Sequence, residues 1–330
     1  MRHLTLLEHK FSLVQLESWS ANATSNPFSQ MKTSIMAILC WLVLATLQSL
    51  SLLPTTRAQQ LSRDQIIELL ERDGCVTLEQ KKVQICKYDY LWNHKRVEGI
   101  TIRPITQGKY PGLVLLPGRV SATSFINFGI IFAAQGFACL SVAEPGFGKS
   151  EGTRDFMGPN SIKAFAAGFN KFKRESFVDS NKMGIFGYSR GGMAASLLTI
   201  KLGSEVKAAV FGAGIYDFKR AHDETKFDDI RQNMENESGM TEQAIRVRSS
   251  ILQMQKLKSP VLIIHGENDE NAPTNQALLL RDRLTELKKD FEINILADHK
   301  HGQFKSNFIL PVVDFFSRKL KGVPSDLKLN

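Results

Sequence analysis

The chain has 330 residues, 43% hydrophobic and 23% charged, with 23 glycines and 11 prolines. That composition excludes wholesale disorder, a collagen-like repeat and a disulfide-dense mini-protein. The balance of 42 Lys and Arg against 33 Asp and Glu is +9, which raises nucleic acid and anionic membrane surfaces as partners. The basic residues are scattered, with no stripe interleaved with aromatics, so no nucleic-acid partner is expected.

In chain order, the first recognisable element is a secretory signal. Lys32 precedes an apolar run over 35–47, and Arg57 and Ala58 close a small-x-Ala site. A positive residue, an apolar stretch of about a dozen residues and a small-residue site are the three parts of a signal peptide. The run is short for a membrane span, which takes roughly 20 apolar residues. Cleavage after Ala58 is therefore preferred over an N-terminal membrane anchor, which places the protein outside the cell or in the periplasm. Residues 1–30 do not fit ahead of such a signal, since they carry Glu8 and Glu17 where a short basic region belongs. They read as an over-called upstream extension with Met31 as the true start, or else as a disordered tail. Removing residues 1–58, with their four basic and two acidic side chains, leaves 272 residues at +7. That is the size of one α/β domain, and its basic surface suits peripheral contact with an anionic envelope.

Behind a short helix over 63–72, apolar β-rich runs occur at 97–102, 112–116, 138–142, 182–186, 206–211, 261–264 and 292–296. Helical spacing fills 161–175, 192–202, 275–287 and 306–320. Continuous apolar strands alternating with amphipathic helices predict a mostly parallel, buried sheet with helices on both faces. The stretch 83–102 has strand after strand without a long helix, which predicts an antiparallel leading edge. One α/β domain over 59–330 accounts for all of this. Residues 212–258 are a longer excursion than an ordinary crossover and predict a lid or pocket insertion before the penultimate strand. Its aromatic and Met residues either shape the pocket or simply pack. Cys75 and Cys86 are either a disulfide across a fold-back in an exported protein or two unrelated thiols. Cys139 lies in an apolar strand run and is read as a buried core thiol.

The chemistry centres on Gly187-Tyr188-Ser189-Arg190-Gly191-Gly192. G-x-S-x-G alone is a weak signal. Here it follows the strand at 182–186 and opens a small-residue helix, so Ser189 sits on a strand–turn–helix elbow with its hydroxyl above the sheet. A serine hydroxyl is a poor nucleophile and needs a base that is itself oriented by a carboxylate, in the chain order Ser, Asp or Glu, His. Asp269 follows the strand at 261–264 and is the acid candidate; Glu267 and Glu270 read as solvated loop carboxylates. Two histidines follow the last strand, His299 and His301. His301 is preferred because it precedes Gly302 and leads into the final helix, and His299 stays as the alternative base. His265 reads as a strand-end structural histidine. A metal reading of the His299-x-His301 pair with Asp269 is a minor alternative, since no third ligand clusters with the two histidines, and no cofactor is expected. For the oxyanion, the backbone N–H of Arg190 is the first donor, and that of Arg119, in the loop after the strand at 112–116, is the second.

These residues resemble the α/β-hydrolase superfamily, and within it the prolyl oligopeptidase-like and dienelactone hydrolase-like branch, over roughly residues 97–320. The motifs that carry the resemblance are Asp179 with the strand and Gly187-Tyr188-Ser189-Arg190-Gly191-Gly192. They continue in the acid loop from Ser259 to Asp269 with Ala272-Pro273, and in Glu144-Pro145-Gly146-Phe147-Gly148-Lys149-Ser150-Glu151-Gly152. In the last of these, Glu144 stands where the superfamily usually has Asp. The resemblance implies Ser189, Asp269 and His301 as nucleophile, acid and base. Pro117-Gly118 stands where many relatives carry His-Gly, which puts the second oxyanion donor in doubt. The true oligopeptidases carry a propeller ahead of the catalytic domain; the expectation here is none, with about forty residues between the cleavage site and the core.

The leading expectation is an exported serine hydrolase cleaving an ester-type acyl bond of a small molecule through an acyl-enzyme. The alternative keeps the mechanism and takes short peptides, and a third reading is a non-catalytic hydrolase fold that binds a ligand.

Overall fold

The computed structural model describes residues 61–328, within a compact unit spanning 61–330. Residues 1–30 and 31–58, expected to be an upstream extension and a signal peptide, lie outside the described residues. The unit opens with α1 (Arg63–Asp73), which Ser62 and Gln65 start with a reciprocal capping box and Gly74 ends in a left-handed conformation. Then come β1 (Cys75–Leu78), β2 (Val83–Lys87), β3 (Tyr90–Trp92), β4 (Lys95–Val97), β5 (Gly99–Pro104) and β6 (Tyr110–Leu116). From there helices and strands alternate: α2 (Ile126–Ala134), β7 (Ala138–Val142), α3 (Pro159–Phe172), β8 (Val178–Tyr188), α4 (Arg190–Leu202) and β9 (Ala208–Gly212). The insertion holds α5 (Phe218–Glu224), α6 (Asp228–Ser238) and α7 (Glu242–Arg248). The chain then forms β10 (Val261–Gly266), α8 (Asn275–Glu286), β11 (Phe291–Leu296) and α9 (Ser306–Phe316).

Nine strands form one sheet in the order β1-β2-β5-β7-β6-β8-β9-β10-β11. The pairs from β1 to β7 are antiparallel, and those from β7 through β6 to β11 are parallel. The alternation of side chains along each strand decides which helices cover which face. Val114 and Leu116 of β6, with Phe211 and Ile263, bury against α3, α4 and α8. Leu113 and Leu115, with Phe186, Val210 and Ile264, bury against α1, α2 and α9. Because both faces are covered, the parallel strands read in sequence as unbroken apolar runs. At the antiparallel edge, Cys75 and Cys86 are register partners and form a disulfide. Cys139 is free and buried.

Two sequence expectations are corrected, at 97–102 and in the final helix, and one helix, α2, had no expectation. The run at 97–102 is two strands, not one. Glu98 turns out of the ladder: its N–H donates to Ser150 Oγ and its carboxylate accepts from Ser121 Oγ and the Lys149 N–H. As a result β4 pairs with β3 in a separate hairpin while β5 joins the main sheet. The helix α2 carries no amphipathic signal because its narrow outer face, Asn127, Ile131 and Ala134, holds a single polar residue while the rest is buried apolar surface. The final helix is α-helical only to Phe316 and ends in a π turn over Ser317–Lys321.

The parallel strands all end on one edge of the sheet, where functional loops of open α/β sheets gather. Pro117 to Val120 follows β6, Ser189 follows β8, the insertion follows β9, Asp269 follows β10 and His301 follows β11.

Candidate active site

Ser189 sits between β8 and α4 with φ 58° and ψ −129°, a left-handed conformation unusual for a residue with a side chain. Such strain costs about 1–3 kcal/mol and persists only where the surroundings enforce it. Here the Ser189 N–H donates to the Gly212 carbonyl of β9 at 2.8 Å, and the Ser189 carbonyl accepts from the Gly192 and Met193 N–H groups. The turn also needs backbone where side chains would stand. A Cβ on Gly187 would meet the Gly191 carbonyl, and one on Gly191 would meet the Leu116 carbonyl of β6. These two glycines let α4 begin directly against the sheet edge.

The serine hydroxyl donates to His301 Nε2 at 2.9 Å, and His301 Nδ1–H donates to Asp269 Oδ2 at 2.7 Å. The other carboxylate oxygen, Oδ1, accepts from the Asn271 N–H at 3.0 Å and the Ala272 N–H at 2.9 Å. The carboxylate is therefore held at both ends, with the Asp269 side chain 1% exposed and that of His301 18%. Behind it, His265 Nε2–H donates to the Ala272 carbonyl at 2.6 Å and lies 3.6 Å from Asp269 Oδ2. Burial holds the His265 imidazole below the ordinary histidine value, consistent with a neutral ring that props the acid loop. On the other side, Tyr188 accepts the Gly302 N–H on its hydroxyl at 2.6 Å, and its ring packs 5.2 Å from that of His301. Burial raises the Tyr188 phenol well above its usual value, so this oxygen stays a neutral hydroxyl.

Of the sequence candidates, Ser189, Asp269 and His301 meet in one hydrogen-bonded chain. His299 does not join it: it is buried, and its Nδ1–H donates to the Ala297 carbonyl at 3.1 Å. The Arg190 N–H lies in the first turn of α4, where N–H groups have no partner within the helix. Arg119 makes no hydrogen bond among the described residues. Both border the same cleft of about 310 Å³ as Ser189 and His301.

The cleft walls are apolar on two sides. Phe156 and Ile215 come from loops after β7 and β9, and Phe227 and Ile230 come from the insertion at the start of α6. Asp229 and Arg119 add one charge of each sign at its rim. Of the aromatic and Met residues in the insertion, Phe227 lines the cleft, whereas Phe218 and Met234 are fully buried packing.

Sequence reasoning missed the side chain of Arg190. It is buried and forms ion pairs with Glu144, at 2.7 Å, and with Glu237 of α6. Its guanidinium also lies over the Phe156 ring at 4.1 Å. Burial raises the Glu144 carboxyl above its ordinary value, and the Arg190 cation opposes that rise. A signal was visible: Glu144 stands where the related motif usually carries the shorter Asp, and Arg190 directly follows Ser189. Nothing in the sequence pointed to Arg248, which donates to the carbonyls of Asp155 and Phe156.

The Prolyl oligopeptidase family model matches residues 132–322, a stretch that holds Ser189, Asp269 and His301 but not Arg119. The chain is 32% identical over 209 residues to the uncharacterized peptidase YtmA of Bacillus subtilis (strain 168), covering 62% of this chain and 80% of that protein. The acylaminoacyl peptidase of Pyrococcus horikoshii has a similar fold, with a TM-score of 0.63 at 21% identity. That match covers 76% of this chain and 44% of that one, so the chain spans less than half of that enzyme's length. Acetyl xylan esterase 1 from Thermoanaerobacterium sp. is also similar in fold, with a TM-score of 0.56 at 16% identity, covering 71% of this chain and 83% of that one. With the family matched over more than half its length, on the sheet edge and elbow just described, the chain belongs to the prolyl oligopeptidase family and is a serine hydrolase.

Proposed function

We propose that the protein is an exported hydrolase that cleaves short acyl esters through a covalent acyl-enzyme. The observation that carries this reading is the hydrogen-bonded chain Ser189–His301–Asp269 at the edge of a small apolar cleft. In the reaction Ser189 Oγ attacks the ester carbonyl while His301 Nε2 takes its proton. Asp269 holds the ring in the required tautomer and stabilises the imidazolium as it forms. The negative charge on the carbonyl oxygen is met by the N–H groups of Arg190 and Arg119. His301 then protonates the leaving alcohol, and a water molecule, activated by the same ring, releases the acid and frees Ser189. The cleft is at the small end of ligand pockets, which run from about 300 to 1,000 Å³, and its apolar walls suit a short aliphatic acyl group.

Short peptides are the second reading. Family membership supports it, and so do Asp229 and Arg119 at the cleft rim, which match the ammonium and carboxylate of a small peptide. A panel of p-nitrophenyl esters from acetyl to octanoyl, run beside aminoacyl and prolyl p-nitroanilides, separates the two. We expect the acetyl and butyryl esters to exceed every anilide in kcat/KM by about tenfold or more, once corrected for the intrinsic reactivity of each leaving group. The reverse order would sink the ester reading in favour of the peptide one.

Export is supported by the signal-like segment at residues 31–58 and by the Cys75–Cys86 disulfide, a bond that persists in oxidising compartments. N-terminal sequencing of the natural protein should begin at Gln59. Its mass without reductant should be two hydrogens below that of the fully reduced chain. Recovery of residue 1 in the mature protein would refute processing at this site.

A further inference from the structure

One side chain touches both walls of the cleft. The guanidinium of Arg190 lies 4.1 Å from the centre of the Phe156 ring, which forms one wall. The same group pairs with Glu237 in the last turn of α6, whose first turn contributes Asp229 and Ile230 to the opposite wall. Glu144 completes the clamp with its Oε1, which accepts from Arg190 Nη2 at 2.7 Å, Ser161 Oγ at 3.1 Å and the Met157 N–H at 3.0 Å.

Two features indicate that this clamp sets geometry beyond filling space. Phe156 and Met157 have φ values of 44° and 52°, a conformation that side chains disfavour and that relaxes unless it is held. The groups holding it are Glu144 on the Met157 N–H and Arg248 Nε on the Phe156 carbonyl at 3.2 Å. In addition, the three clamped side chains are nearly or wholly buried, at 4% exposure for Arg190, 0% for Glu144 and 9% for Glu237. Ion pairs so far from water are poor sources of net stability, because desolvating the charges offsets their attraction. A buried cation whose Nη2 meets two carboxylates, one of them (Glu144) held in turn by Ser161 and the Met157 N–H, is by contrast a good determinant of position.

We propose that the Arg190–Glu144–Glu237 clamp is the specificity determinant of this site: it fixes the spacing between Phe156 and α6 and thereby limits the length of acyl group admitted. Glu237 is a positioning residue in this scheme; it acts through Arg190 and touches no reacting atom. The inference rests on the serine-hydrolase reading above and deepens it.

The test compares wild type with Glu237→Gln and Glu237→Met, both close in size to the native side chain. Glu235→Gln serves as control, since Glu235 ties the same helix to His222 through an exposed pair. The readout is the ratio of kcat/KM for octanoyl over acetyl p-nitrophenyl esters, with KM and kcat resolved. The parallel readout is the ratio of labelling rates by octyl and ethyl fluorophosphonates. Both Glu237 variants should raise these ratios about fivefold or more, through a lower KM for the long chain, as a few methylenes gained in an apolar pocket allow. Glu235→Gln should leave them within twofold of wild type. A purely structural role would lower the melting temperature of the Glu237 variants without moving either ratio. Unchanged ratios in whichever Glu237 variant folds would overturn the proposal. Wild type that hydrolyses no ester but is labelled at Ser189 would fail the ester reading alone, because the labelling ratio still tests the clamp.

Discussion

Ser189→Ala should abolish turnover on every acyl substrate and remove all fluorophosphonate labelling while leaving the fold intact. Losing the nucleophile of such a relay costs on the order of 10⁶ in kcat, with a residual 10³ or so over water from binding and the oxyanion donors. The structural cost is small because the hydroxyl makes one hydrogen bond, to His301 Nε2. The backbone bonds that hold the elbow, from Ser189 N–H to the Gly212 carbonyl and to the Ser189 carbonyl from Gly192 and Met193, are untouched. Alanine tolerates the positive φ no worse than serine does, so the variant should unfold within a few degrees of wild type. Labelling is measured by intact mass after reaction with a small fluorophosphonate. Equal labelling of wild type and Ser189→Ala would place the reactive group elsewhere and refute the assignment.

Asp269→Asn should lower kcat by roughly 10⁴, the scale seen when a triad histidine is held in the wrong tautomer. The surrounding backbone dictates how the amide must sit. Oδ1 of the native carboxylate accepts two N–H groups, from Asn271 and Ala272, and only the oxygen of an Asn amide can replace it. The NH₂ of the amide then faces His301 Nδ1, 2.7 Å from the present Oδ2 position. A donor there forces the ring proton onto Nε2, where it blocks acceptance of the Ser189 proton. The effect should appear in kcat with KM little changed, and crystallographic or spectroscopic measures of the fold should be unaltered. Retention of more than about a tenth of wild-type kcat would remove Asp269 from its role. Attention would then turn to Glu267 or Glu270 of the same loop.

The two variants differ in what they probe. Ser189 lies in a motif that local sequence can report, because the strand, the glycines and the helix that shape its elbow are all within a dozen residues of it. Gly187 and Gly191 are required by approaches to backbone that is near in space, and in the case of Leu116 distant in sequence, yet they announce themselves as glycines. Asp269 and His301 are a different case. Three loop carboxylates follow β10 and two histidines follow β11; position along the chain favours Asp269 and His301 but leaves His299 as an alternative. Only the turn made by the Asn271 and Ala272 N–H groups aims the Asp269 carboxylate, and only the loop after β11 brings His301 rather than His299 to the serine.

The fold was legible for the same local reason. Both faces of the parallel strands are buried, so they show as apolar runs, and the helices with one solvent face show a 3.6-residue period. The exceptions mark where tertiary context prevailed. Almost wholly apolar, α2 turns a narrow face with one polar residue, Asn127, to solvent and so shows no period, and Glu98 divides an apparently continuous strand by bonding three groups distant in sequence.

By itself, then, the sequence determined an α/β chain with mostly parallel strands, a strand–turn–helix elbow at Ser189, and acid and base candidates in the chain order Ser, Asp, His. Tertiary structure decided the partners. Strand β9 stands between β8 and β10 in the sheet, so Ser189 and Asp269 meet only through His301 reaching across from the loop after β11. The pairing of Arg190 with Glu144 and Glu237 joins residues 46 and 47 positions apart, across a strand edge and an inserted helix. Hydrogen bonds and ion pairs form within about 3 Å, and no local pattern of residue types carries distances between segments that far apart along the chain.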